Sequence, residues 1–466
     1  MSRLTIYHSD VTEEGAGEMV VRDEFVREEP LYQQAMVALF EFRDDVEERS
    51  NQLLTERSGY VPASIFGAYL SLLGSEYAPS RSAVGTAVRV REGVARLRDK
   101  ERAHLDVIEA WGNGEFYRAQ RLLDELLLQF PTDQLALFAG HQLDFFLGDA
   151  QSLRDRIGAA VQEWDRDDPI YGFLLGMFSF GLEESGWYER AQDVGLEALE
   201  RSPKDVWALH AVVHTHEMRA EFGPGLALMA KLEPFWVQGN FFNVHNYWHK
   251  CLYLLEEGEI AGILDIYDNV IHHPGSGLSA LEMLDASAIL WRLYLDDIDV
   301  GSRFVELASS WGEWLDVPFY VFNDCHAIMA FVGADRYDLA ECRLKVLKES
   351  VGSSDPEATN STMTKEVGLP IAESLVAFGR GEYQRVIDLL YPIRKIFYRF
   401  GGSHAQRDAF HRTLLEAAIR LPDPRLATRL VDERLALKED SPYNWLSKRR
   451  ILESQGDHQA SLVAEQ

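Results

Sequence analysis

Apolar residues recur at three- and four-residue steps from Leu31 onward, first in LYQQAMVALFEFRDDVEERSNQLLTE and then in segment after segment. That period marks one helix face packed on a core. It predicts a helix over about 31–56, a second over about 63–73 and a third over about 81–98. Turn signals punctuate the helical pattern. Gly114-Glu-Phe-Tyr-Arg-Ala119 is echoed by Gly186-Trp-Tyr-Glu-Arg-Ala191, and more loosely from Gly258 and from Gly381. The glycines at 114, 186 and 258 stand about 72 residues apart, two units of about 36. Further turn signals near 148, 223, 298, 333 and 422 fall close to the intervening steps.

A helix–turn–helix period of roughly 34 residues is the tetratricopeptide signature. Ala119 and Ala191 supply a small residue where the second helix packs on the first. Pro131 and Pro203 end that second helix, and Asp133 and Asp205 follow to cap the next one. Each hairpin leaves an apolar face that only its neighbour covers, so the units are expected to stack. The expected fold is all-α: tetratricopeptide-like hairpins in one right-handed superhelix, an α-solenoid over 30–453. A partly ordered acidic lead-in occupies 1–29 and a frayed tail 454–466. The period breaks between 333 and 381. There the polar, Ser- and Thr-rich SVGSSDPEATNSTMTKEVG, about 350–368, reads as a long surface loop.

In such arrays the first helix of each pair lines the concave surface. The inner helix of about 206–220 carries Trp207, His210, His214 and Glu217 on one stripe, with His216 pointing elsewhere. The next inner helix, about 242–256, offers His245 and His249, again four apart, beside Asn246 and Trp248. Stacked helices lie about 8–10 Å apart, so the two histidine pairs can face one cavity. Other inner helices add His141 with Gln142, then Asn323, Asp324 and His326. The stripe His404, Arg407, Asp408 and His411 follows the double glycine at 401 and 402, with Ser403 as an alternative helix cap.

Net charge changes the picture of partners. At −29, the chain is a poor match for nucleic acid or an anionic membrane surface. Its three cysteines, Cys251, Cys325 and Cys342, form no CxxC pair and fit a reducing, cytoplasmic setting. No apolar run reaches the roughly 20 residues of a membrane helix.

The segments HAVVHTHEMRAEF, VHNYWHKCLYLLEEGE, FNDCHAIMA, EVGLP at 366–370 and GGSHAQRDAF resemble the tetratricopeptide repeat protein 38 family, in matching order over about 30–450. The resemblance implies a helical repeat fold and no agreed reaction. It carries over His141, His210, His214, His216, Glu217, His245, Asn246, His249, Asn323, Asp324, His326, Gln406, Arg407 and Asp408. The lead-in and the stretch 350–365 depart from it.

Three classes of function remain open. A ligand-binding protein would hold a small polar molecule or an extended peptide on His141, Trp207, His245, Asn246, Trp248, Asn323, His326, Gln406, Arg407 and Asp408. An enzyme would use His210, His214 or His249 as general base, Glu217 or Asp324 to orient it, and Arg407 to hold an anion. A scaffold would carry its histidines incidentally. No cofactor is required by any motif. The alternative is zinc or iron on His210, His214, His245 and His249, although the HExxH motif itself is missing. That alternative requires imidazole nitrogens within about 5 Å of one another.

Overall fold

The computed structural model describes residues 29–57, 59–277, 279–314, 317–353 and 358–456. Residues 1–28 of the lead-in expected over 1–29, and residues 457–466 of the tail expected over 454–466, lie outside them. The architecture is all-α, and the one bridge-type pairing among the described residues joins Arg43 to Asn240.

The chain opens with α1 (Pro30–Phe40), α2 (Val46–Glu56), α3 (Val61–Leu73) and α4 (Tyr77–Gly93). Helices α5 (Asp99–Gly112), α6 (Phe116–Gln129), α7 (Gln134–Phe146) and α8 (Ala150–Ala160) follow. The centre holds α9 (Tyr171–Glu184), α10 (Tyr188–Arg201), α11 (Val206–Met218), α12 (Phe222–Trp236) and α13 (Asn243–Glu257). Next come α14 (Ile260–Ile266), α15 (Ala280–Leu295), α16 (Arg303–Trp314), α17 (Val321–Gly333) and α18 (Tyr337–Ser353). The last group is α19 (Thr359–Met363), α20 (Leu369–Gly379), α21 (Tyr383–Leu390), α22 (His404–Ile419), α23 (Arg425–Leu437) and α24 (Pro442–Ser454).

Consecutive helices pack on each other, and alternate helices also touch: α9 on α11, α11 on α13, α13 on α15, α15 on α17. The two sets differ in burial. Every residue from Val206 to Glu217 of α11 is buried, whereas α10 buries only Ala191, Gly195, Ala198 and Leu199. An all-round apolar helix belongs inside and a one-sided helix outside. The caps fall where the sequence places them: Asp133 accepts from the Ala136 N–H at 2.8 Å and Asp205 from the Ala208 N–H at 2.9 Å.

Two expectations fail. The helix predicted over 31–56 breaks between Phe40 and Val46, and Phe42 takes a left-handed φ of 53°. The break turns Phe42 inward, where its ring stacks on Trp207 at 5.2 Å and 2°. No Gly or Pro marks it, because a tertiary aromatic contact causes it. The loop expected over 350–368 is helical from Thr359 and runs through a π-turn at Thr364–Gly368 into α20. Its polar side chains are used internally. Asn360 accepts from the Val321 N–H at 2.7 Å, and the Thr359 hydroxyl accepts from the Tyr117 N–H at 3.2 Å.

Contacts between distant helices close the fold over its own interior. Helix α22 packs on α11, α15 and α20. The Thr359 N–H donates to the Gly114 carbonyl at 2.9 Å, Asn323 to the Ser75 carbonyl at 3.3 Å, and the Ala280 N–H to Glu76 at 3.0 Å. The surface expected to be an open groove is therefore buried.

Candidate functional site

Helix α11 begins at the Asp205 cap, which fixes the phase that sends Trp207, His210, His214 and Glu217 inward. Helix α13 lies beside it and presents His245, Asn246, Trp248 and His249. One ring nitrogen of each of His210, His214, His245 and His249 lies within 4.8 Å of those of the other three. The Nε2 atoms of His210 and His245 are 3.2 Å apart. The ring centroids of His210 and His214 are 4.4 Å apart, and those of His214 and His249 4.3 Å. Phe180, Trp207 and Phe242 pack around His210 at 5.0–5.1 Å between centroids.

Carboxylates stand behind three of the rings. The Nδ1–H of His245 donates to Asp285 at 2.8 Å, and that of His249 to Glu217 at 3.2 Å. Glu183 lies 3.4 Å from His214 Nδ1. These partners fix the tautomers of His245 and His249 and leave their Nε2 lone pairs facing the centre. The centre is short of protein partners. Among the described residues His214 has no hydrogen-bond partner at either nitrogen, His249 none at Nε2, His210 none at Nδ1, and Glu183 none at either oxygen. Unsatisfied buried polar atoms cost about 1–3 kcal/mol each, so these atoms would be stabilised by a bound polar group or ordered water.

Burial sets the charge states. It holds His214 down at about 4, and it pushes His210 and His249 well below the usual imidazole range, with neighbouring rings adding to the effect. Glu183 is raised well above the usual carboxyl range by burial and by the adjacent Glu184. At neutral pH the rings of His210, His214 and His249 are thus unprotonated bases.

The other sequence candidates divide. His141 is fully buried against Trp207 at 5.6 Å, with both nitrogens unpartnered and burial holding it near 3. Asn246 is buried with both amide atoms unpartnered. Trp248 stacks on His245 at 5.2 Å and 16°. The Nδ1–H of His326 donates to the Phe322 carbonyl at 2.8 Å, and its Nε2 is free. Asp324 does not reach the histidines; it pairs with Arg343, whose Nε lies 2.6 Å away. Gln406 completes a capping box with Ser403. Arg407 is spent on Glu184 at 3.1 Å and on the Gly402 carbonyl, and Asp408 on Arg412 and Arg434. His216 turns away to Glu221 at 2.9 Å.

The stripe after the double glycine does come close. His404 donates its backbone N–H to Glu184 at 2.8 Å, next to Glu183. Glu217 and α22 share a cavity of about 440 Å³. A wider groove of about 840 Å³ between α2, α3 and α4 lies away from the histidines.

Sequence reasoning missed Glu183, Glu184 and Asp285. Their signal was present as carboxylates in largely apolar helices: Glu183 and Glu184 end YGFLLGMFSFGLEE, and Asp285 interrupts LEMLDASAIL. Charges at buried positions are rare unless partnered. No family model matches the chain.

Proposed function

We propose that this chain is a tetratricopeptide-like repeat protein related to the tetratricopeptide repeat protein 38 family. In this reading its superhelix winds closed around a metal centre, and His210, His214, His245 and His249 bind one divalent first-row metal of the zinc or iron class. The carrying observation is the convergence of four ring nitrogens within 4.8 Å, three of the rings being backed by carboxylates. A tetrahedral ion with bonds of about 2.0–2.1 Å needs nitrogens about 3.4 Å apart, and the 3.2 Å between His210 and His245 already fits. Imidazole donors suit zinc, copper, iron and nickel, and a carboxylate behind a ligating ring raises its basicity. The low proton affinity of the buried rings leaves them free to ligate at neutral pH.

Closure of the interior favours a small polar ligand over an extended peptide, because His214, Asn246 and His249 have no exposed surface. The net charge of −29 supports a partner other than nucleic acid. Among the described residues no helix is long and apolar enough to cross a membrane, and the three free cysteines support a reducing, cytoplasmic setting.

A catalytic alternative, with no metal on His249, has one observation in its favour. Glu217 hydrogen-bonds His249 and also lines the neighbouring cavity, so a carboxylate–imidazole pair stands between the centre and a space large enough for substrate. His249 would then serve as general base with Glu217 orienting it.

The deciding experiment is elemental analysis of protein purified without a histidine tag. About one equivalent of metal is expected, falling to near none in His214→Ala and His249→Ala, since each removes one of four ligands. Metal-free protein that takes up neither zinc nor iron, with no change in thermal stability, would sink the reading.

A further inference from the structure

The cavity beside the histidine centre has a charge pattern of its own. It lies between α11, α13, α15, α22 and α23, and seven Arg and Lys side chains line it against four carboxylates. In a chain of net charge −29 that local excess of cations is unusual. The carboxylates are also engaged. Glu256 accepts from Arg412 at 2.6 Å, from Ser441 at 2.8 Å and from the Tyr443 N–H at 3.1 Å. Asp408 is held by Arg412 and Arg434 at 2.9 and 2.6 Å, and Glu433 by Arg394 and Arg429.

Arg292 is left without a carboxylate, and Arg412, though paired with Glu256 and Asp408, keeps one terminal nitrogen unpartnered among the described residues. Arg292 is 1% exposed and has no carboxylate partner among the described residues. Its guanidinium donates to the carbonyls of Ala288 and Ala405 at 2.8 and 2.6 Å and sits over Trp248 at 5.3 Å. Arg412 is 5% exposed, and its second terminal nitrogen has no partner. A buried guanidinium without a counter-charge is costly, so proteins supply an anion or avoid the arrangement. Guanidinium forks match the geometry of carboxylate and phosphate. The volume of about 440 Å³ falls in the usual range for small-molecule sites.

We propose that this cavity binds a small molecule bearing a carboxylate or phosphate group, with Arg292 and Arg412 as its anchors. This moves the anion-holding role away from Arg407, whose donors are spent within the fold. The occupant would meet Glu217 at the inner wall, one hydrogen bond from His249. The proposal does not depend on the metal, because its anchors touch none of the four histidine rings.

Titration calorimetry of the full chain tests it, with inorganic phosphate and succinate as probes, on metal-stripped and metal-loaded protein. Binding of at least one probe is expected in both forms, weakening as salt rises. Phosphate alone would identify a phosphoryl ligand, and succinate alone a carboxylate ligand. Arg292→Gln is expected to weaken binding about tenfold or more, the loss of a charge-assisted pair. Should that variant fail to fold, Ala436→Phe decides. Ala436 lies exposed at the rim of the cavity, outside the charge network, and a ring there should block entry. The proposal is overturned if neither probe binds below about 1 mM, a bare 4 kcal/mol interaction. It is equally overturned if Ala436→Phe and a folded Arg292→Gln both bind like the parent chain.

Discussion

A buried imidazole stays neutral because the interior solvates its charged form poorly. Protons therefore compete weakly for His210, His214 and His249. His214 titrates at about 4, so as pH falls from 8 it stays unprotonated through the range where an exposed histidine, near 6.5, would already have lost its lone pair. Metal should accordingly remain bound from pH 8 to about 5 and dissociate only near pH 4, measured as metal retained after buffer exchange. Release centred near pH 6.5 would mean that the rings are solvated. The carboxylates give a second residue-level expectation. Glu217→Gln keeps the shape but weakens the acceptor behind His249, and should lower metal affinity about 10–100-fold in a chelator competition. An unchanged affinity would make Glu217 irrelevant to the centre.

At the scale of elements, helical phase did most of the work that was legible in the sequence. The cap at Asp205 and the four-residue spacing of His210 and His214 put the stripe on α11, and they turned His216 away from it toward Glu221. What could not be read was contact between segments far apart in the chain. Asp285 reaches His245 across 40 positions and Glu183 reaches His214 across a helical hairpin, and no local pattern encodes such pairings. The break between α1 and α2 is a further case. It exists because Phe42 closes over Trp207, with Phe138 and Phe242 also against its ring at 5.6 and 4.9 Å. Phe42→Ala should cost about 3–5 kcal/mol of stability, as buried Phe truncations do, and should speed metal loss to an external chelator. A variant with parental stability and parental release rate would show that this segment is no cover.

The whole molecule differs from an open repeat array in its closure. Stability in such arrays is a sum of neighbour terms, and unfolding can proceed piecemeal. Here Gly148 and Gly401 allow the chain to meet itself: a Cβ at Gly148 would strike the Tyr398 carbonyl, and one at Gly401 the Tyr320 hydroxyl. Both glycines also hold positive φ, 64° and 90°. Contacts of this kind tie early helices to late ones, so calorimetry should show one cooperative transition. Chelation should move that transition to lower temperature as a whole, since a ligand that binds only the folded state stabilises all of it. Two separated transitions, with only one responding to the chelator, would break the link between closure and centre.

Anomalous diffraction, recorded at the absorption edge of the metal found by elemental analysis, tests the centre most directly. The expected result is a single strong peak between α11 and α13, about 2.0–2.2 Å from one nitrogen each of His210, His214, His245 and His249. The contradicting result is no peak at that position in metal-supplemented crystals, with the four rings hydrogen-bonded to ordered water instead.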